Sequence, residues 1–548
     1  MFRTSNAIGF LAASILFILP SGGQDRQQRE SIDLNALYKI KAAEFGSTVG
    51  NPKSKIEDIA YNLTDRYGPR LTNSPEFRQA ADWVVQQLKD WGLANVHMER
   101  WATPPNRPLP SWHCTFLSAS MVKPSYQPLI AVPEAWSPPT AGSITGSAML
   151  FQIPHSTEEL ERLRGKLAGK MLLLGGPASG LALPEAPLAN RFTGEELAGL
   201  AIELIPVKDP FPRPSEPPLS DEMEAKIEEW LNQDKPLAKF WSGVRLPWEL
   251  PGAATNRYQG GTLVGPGFEN ASTANSRPTV ILAAEHYNRI ARLLARNVPV
   301  QLQAEIKTEV DETYKAESLN VIAEIPGVTK PTEVVMAGAH LDSWPYATGA
   351  TDNAIGCAAA MEAMRILRDS HLRMDRTVRL ALWGGEEQGM LGSRAYVKQH
   401  FADRVSMQLK PEHEKFSVYL NLDGGSGKVR GIYLRHNEMA RPIFEDWFAA
   451  LKDLTSGTIS IRDMDNGVAD HLAFDEVGLP AFFFLQDPLD SETRSHHTNM
   501  DTFDRIQLPD AEQMAVVLAS FLYNAATRPD KLPRKELPAP KRADSGGR

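Results

Sequence analysis

Cysteine is nearly absent from this chain. Its 548 residues hold only Cys114 and Cys357, which excludes both a disulfide-built scaffold and a four-thiolate zinc site. Any metal ion must therefore be held by His, Asp and Glu. A basic excess is absent too: 58 Lys and Arg against 67 Asp and Glu leave a net charge of -9, a poor balance for a general nucleic-acid binder. No apolar run reaches the roughly 20 residues of a transmembrane helix. Wholesale disorder is excluded by 42% hydrophobic and 23% charged residues, ordinary values for a globular protein. The length predicts more than one domain, at roughly 100–200 residues each.

The first residues read as an export signal. Arg3 precedes the apolar stretch Ile8 to Pro20, and the small residues Ser21, Gly22 and Gly23 follow. That order predicts a signal peptide over 1–23, cleaved after Gly23. The mature chain is then exported, to a periplasm or the outside, without stable membrane insertion. Cys357 falls in an Ala-rich helical pattern and reads as a buried free thiol. The stretch 528–548 is rich in Pro, Lys and Arg, lacks periodicity, and is predicted to be disordered.

Patterning divides the rest. Ser74-Pro75-Glu76 starts a helix whose apolar residues Phe77, Ala81, Val84, Leu88 and Trp91 share one face. Residues 24–110 read as helical, then extended, and as the N-terminal part of the domain that resumes at 306. Prolines and short apolar segments crowd residues 111–305, which read as an inserted, mostly β domain. Over 306–527 the pattern becomes α/β. Strand-length runs at Leu319–Ile325, Glu333–Ala337, Val378–Trp383, Val418–Leu422 and Ala481–Leu485 are separated in part by helical stretches at 353–369, 392–402, 439–453 and 510–526. Alternation predicts a mostly parallel mixed sheet with helices on both faces, and such sheets bind ligands at the carboxyl ends of their strands.

Those strand ends carry metal-type side chains. His340 and Asp342 follow one strand, and Asp352 opens the next helix. Glu386-Glu387 follows the strand 378–383, Asp423 the strand 418–422, and His496-His497 lies beyond 481–485. Imidazole with carboxylate suits Zn, or Mn, Co and Fe with more oxygen ligands. The set exceeds one catalytic zinc, and two metals sharing one carboxylate would use it. Asp352, central at a helix start, is the bridging candidate. Of the adjacent glutamates, one can bind metal while the other serves as general base. Asp342 is placed to accept the far ring N–H of His340, as a residue behind a metal ligand does. Taken singly, each residue is more readily a capped or solvated polar group, and His413 and His496 keep that reading. The whole set converging on one sheet edge points to metal.

At these residues the sequence resembles the family 28 zinc metallopeptidases of clan MH. The motifs are His340-Leu-Asp342, Asp352-Asn-Ala-Ile-Gly356, Gly384-Gly-Glu386-Glu387-Gln-Gly-Met-Leu-Gly392-Ser393, Asn421-Leu-Asp423-Gly424 and His497-Thr-Asn-Met-Asp501. Tyr67 to Ser74 resembles the family's N-terminal segment, and 111–305 resembles a protease-associated (PA) domain. The resemblance implies a zinc-exopeptidase fold, phosphorylase/hydrolase-like, with two Zn2+ per chain. His340 and Asp423 would hold one ion, Glu387 and His497 the other, with Asp352 as bridge, Glu386 as base and Asp342 orienting His340. His471 is implied to line the substrate pocket. The function implied is a secreted exopeptidase acting on peptides, an aminopeptidase or dipeptidase. The alternatives are a carboxypeptidase Q-like or glutamate carboxypeptidase-like enzyme, then a glutaminyl cyclase or a non-catalytic PA-domain receptor. Side-chain preference and oligomeric state stay open.

Overall fold

The computed structural model describes residues 29–46, 54–105, 107–176, 187, 189–202, 221–243, 277–462 and 468–540. The expected signal peptide 1–23 and the end of the tail, 541–548, lie outside them. Two eight-stranded mixed sheets organise the chain.

The first sheet carries the strand-end residues. Its strands lie in the order Ala94–Ala102, Glu317–Ile325, Arg376–Trp383, Lys330–His340, Phe416–Asn421, Ala481–Gln486, Val429–Tyr433 and Thr458–Ser460. The four central strands run parallel, as the apolar runs predict; Glu317–Ile325 beside them is antiparallel, and Ala94–Ala102 is antiparallel to it in turn. Their registers align His340 with Trp383, Gly338 with Asn421, and Asn421 with Phe483. The C-terminal ends therefore open onto one edge. Two strands escape sequence patterning. Val429–Tyr433 is broken by Gly431 and Thr458–Ser460 has three residues, so neither offers an apolar run to recognise.

Helices Ile355–Asp369 and Leu508–Thr527 pack together beneath one face, nearly all of their residues buried. The helix Pro75–Asp90 begins as its sequence predicts: Pro75 takes the first position and the Ser74 hydroxyl accepts the Phe77 N–H at 3.1 Å, satisfying an otherwise orphan donor. Phe77, Ala81, Val84 and Leu88 face the core.

The second sheet is built from Ser111–Lys123, Gln127–Pro128, Ala131–Pro133, Ile144–Phe151, Lys170–Leu174, Ala238–Ser242, Thr279–Leu282 and Gln301–Asp311. Its first and last long strands pair antiparallel, Ser111 opposite Asp311, so the chain enters and leaves side by side. The last strand runs beyond residue 305 to Asp311. A cluster of Trp101, Trp112, Trp136, Trp344 and Tyr346 with Leu71 and Ile281 joins this sheet to the strand-end edge of the first.

The tail departs from its predicted disorder. Residues 529–540 have no regular secondary structure, yet Leu532 is buried. Arg534 donates to the carbonyls of His413 and Phe416 at 2.7 Å each, and Lys535 pairs with Asp475 at 2.5 Å. Extended proline-rich chain held through its cations shows no helical or strand period, which is why patterning misses it. Both cysteines are free. Among the described residues, no helix is long and apolar enough to cross a membrane.

Candidate metal centre

Three loops and two strand ends bring the centre together. His340 is the last residue of its strand, and Asp423 follows Asn421 on the neighbour. Between them Asp352 offers both carboxylate oxygens. The His340 Nε2 atom lies 3.0 Å from Asp352 Oδ1 and 3.1 Å from Asp423 Oδ1. On the far side His497 Nε2 lies 3.3 Å from Asp352 Oδ2 and 3.0 Å from Glu387 Oε2. Two atoms each about 2.1 Å from a tetrahedral zinc lie about 3.4 Å apart. These spacings fit side chains gathered to hold metal. Ligand atoms of His340, Asp352 and Glu387, and of Asp352, His496 and His497, fall within 4.8 Å of one another.

The loops are held by carboxylates behind them. Asp342 Oδ1 accepts the Glu386 N–H at 3.2 Å, and its Oδ2 accepts the Glu387 N–H at 3.3 Å and the Thr72 hydroxyl at 2.9 Å. Asp501 accepts the N–H groups of Thr351 at 2.6 Å and Asp352 at 3.1 Å. Gly385 precedes Glu386 at φ +75°, and a Cβ there would meet the Trp101 ring at 2.9 Å. Glycine is thus required on both counts. Gly356, in the helix behind Asp352, has no room for a Cβ beside the Asn353 side chain at 2.2 Å.

Burial and crowding set the charges. Burial opposes charge on His340 and His497, yet the carboxylates around them hold both well above the usual imidazole range. Asp352 is held well below the carboxylate range despite burial, because both histidines bond to it. Glu387 is pushed up to about 7 by burial, with Asp352 adding to the push. Glu386 is raised well above its usual range, again by burial first. Among the described residues no Lys or Arg pairs with any of these carboxylates, and Glu387 Oε1 is buried without a hydrogen-bond partner. A divalent cation would relieve such a set.

The structure departs from two expectations, at Asp342 and His471. Asp342 faces His340 with its backbone: the Nδ1–H donates to the Asp342 carbonyl at 2.9 Å, while the carboxylate oxygen stands 3.8 Å away. The carboxylate has turned to the Glu386 loop. His471, expected to line the pocket, is fully buried against Phe483, its rings 5.3 Å apart, and burial lowers it to about 3. His496, read as capped or solvated, keeps a partly exposed side chain that stacks on His497 at 4.0 Å with its Nε2 3.9 Å from Asp352 Oδ2. His413 is a buried ring bonded to the Val477 carbonyl at 2.9 Å.

Sequence reasoning missed Asp470, buried and pushed up to about 8 by burial with Asp423 and Asp342 nearby. It also missed Arg70, whose buried guanidinium donates to the carbonyls of Leu341 at 2.7 Å, Thr348 at 2.8 Å and Gly349 at 3.0 Å. Arg70 thereby closes the loop between His340 and Asp352. Arg70 lies within the Tyr67–Ser74 motif and Asp470 stands beside His471, yet neither side chain has a local pattern that marks it.

The residues that form this edge fall inside a recognised family. Residues 320–522 match the model described as Peptidase family M28. The chain is a metallopeptidase, and over these residues it resembles family 28. Mouse carboxypeptidase Q is 26% identical, over 94% of this chain and 96% of its own length. Among solved structures, a peptidase M28 precursor from Shewanella amazonensis superposes with a TM-score of 0.61 at 22% identity, covering 92% of this chain and 98% of that one. BSAP, a zinc aminopeptidase from Bacillus subtilis, superposes at 0.51 and 16% identity, covering 86% and 94%. At such identity the metallopeptidase shares the fold of these two structures, and the likeness goes no further.

Proposed function

We propose that this metallopeptidase is an exported two-zinc exopeptidase, an aminopeptidase or dipeptidase that hydrolyses peptide bonds at chain ends. One observation carries the two-ion reading: His340 and His497 approach opposite oxygens of Asp352 at 3.0 and 3.3 Å. A one-ion site, as in the glutaminyl cyclase alternative, has no use for that bridge. A non-catalytic receptor has no use for a complete ligand set with Glu386 beside it. His340 and Asp423 would hold one ion, Glu387 and His497 the other, with Asp352 shared. The reading includes a domain division into 24–110 with 306–527, a PA-like insert over 111–305, and export through residues 1–23.

When bound, zinc polarises the scissile carbonyl and lowers the pKa of water towards about 7. The chain supplies the proton transfer. Glu386 is buried, and burial raises its affinity for a proton. Its carboxylate takes the proton of the attacking water and returns it to the leaving amine. The two N–H groups on Asp342 fix the loop from which it acts. Asp501 does the same for Asp352 through its N–H.

A carboxypeptidase Q-like enzyme is the second reading, supported by the 26% identity to mouse carboxypeptidase Q along nearly the whole chain. One experiment separates them. Purified protein is analysed for metal, then offered free, N-blocked and C-blocked dipeptides. About two divalent ions per chain, with turnover lost on blocking the amine, is the expected result. Turnover lost on blocking the carboxylate instead establishes the second reading, and a metal content near zero in active protein rejects both.

A further inference from the structure

The loop between His340 and Asp352 carries a side chain that the chemistry above does not use. Trp344 is 4% exposed and lines the same pocket as Asp352, Glu387 and His497. Its ring meets His497 edge-on at 6.1 Å, stacks on Tyr346 at 5.9 Å, and stands at 83° to Trp136 at 6.3 Å. Its indole N–H has no hydrogen-bond partner among the described residues. The contrast with its neighbours is direct. Trp136 donates its N–H to the Pro110 carbonyl at 3.1 Å, and Trp112 donates to Ser137 at 2.9 Å. Trp101 is also unpartnered, but it packs on Gly385 and Gly392 and does not line the pocket.

A buried donor without an acceptor is costly, and native structures rarely keep one without a use. Here the ring that carries the donor lines the pocket beside Asp352, Glu387 and His497. We propose that Trp344 is a substrate-binding residue whose indole N–H donates to an oxygen of the bound peptide, a backbone carbonyl or terminal carboxylate beside the His497 side of the centre. The proposal rests on the peptidase reading and adds a specificity contact to it. It also gives the second sheet a part in the site. Trp136 and Trp112 pack in one cluster with Trp344 and Tyr346, so the second sheet backs the wall that aims the indole.

The test removes the N–H and keeps the ring. Trp344→Phe is made in the full chain and also together with Glu386→Gln, so that dipeptide binding is read calorimetrically without turnover. Expected are a KM and a dissociation constant raised about three- to tenfold, the scale of one hydrogen bond. Metal content and Tm stay near those of the parent. A loss confined to the free dipeptide and absent from its amide assigns the acceptor as the carboxylate. An equal loss with both assigns a backbone carbonyl. Unchanged affinity and KM overturn the proposal while leaving the peptidase reading intact. Failure of the parent to bind or cleave any dipeptide overturns the reading and the proposal with it. If the Phe variant does not fold, Trp344→Met serves in the same binding measurement.

Discussion

The chain buries acid at both ends of one helix, Ile355–Asp369, and neutralises it in two different ways. Towards the C-terminal end Glu362 and Glu44 are buried, and Arg365 answers them. Its guanidinium binds both oxygens of Glu362 at 2.9 and 2.5 Å, reaches Asp369 at 2.8 Å, and stands 3.6 Å from Glu44. Before the N-terminal end Asp352, Glu386, Glu387 and Asp423 are gathered with two histidines and no paired arginine among the described residues. Guanidinium is a permanent cation with no lone pair to offer a metal. Imidazole offers one. The same burial of carboxylate therefore builds a fixed strut at one end and a place for an exchangeable cation at the other.

The comparison breaks most sharply at Glu386. Glu386→Gln should lower kcat by about 100- to 10,000-fold, the usual worth of a general base, while metal analysis finds the ions retained. Activity near the parent's would remove Glu386 as the base. The strut should respond in the opposite way. Arg365→Met leaves Glu362 buried without its counter-ion, and breaking a buried pair costs about 3–5 kcal/mol. Chemical denaturation should show that loss, with kcat per folded molecule unchanged. A change in kcat without a change in stability would merge the two clusters into one functional unit.

Glu44 gives the smallest effect and a sign. Burial pushes its carboxyl to about 9, with Glu362 adding to the push, against about 4.3 in an unfolded chain. Between those values the folded chain holds a proton that the unfolded chain releases. Its contribution to stability is therefore fully present below about pH 4.3, and is lost as pH rises through about 9. Glu44→Gln removes that dependence. The Tm of the variant minus that of the parent should grow from pH 5 to pH 9. A constant difference would mean that Glu44 is ionised throughout.

How much of this was legible depended on how local each feature is. That His340, Asp352, Glu387, Asp423 and His497 meet was readable because five apolar runs marked the strand ends where they stand. The role of Asp342 was not readable. Whether its carboxylate or its carbonyl meets His340 depends on a turn that the Glu386 loop pulls round by its N–H groups. The surroundings of His471 and His496 were not readable for a similar reason: an imidazole looks the same in sequence wherever it stands, and only packing puts one against Phe483 and the other near Asp352. Arg534 and Leu532 anchor a tail whose composition resembles disorder, since an extended segment held by scattered cations has no period.

By itself the sequence determined the chemistry on offer: no thiolate ligands, an α/β alternation, and His, Asp and Glu at the strand ends. These follow from side-chain identity and local periodicity, which do not require the fold. The tertiary structure decided which atoms meet. It placed one histidine on each oxygen of Asp352, turned Asp342 towards the Glu386 loop, and left the indole N–H of Trp344 without a partner among the described residues. Those outcomes depend on strand register and on the packing of the second sheet against the first. Contacts between residues hundreds of positions apart leave no mark in local spacing.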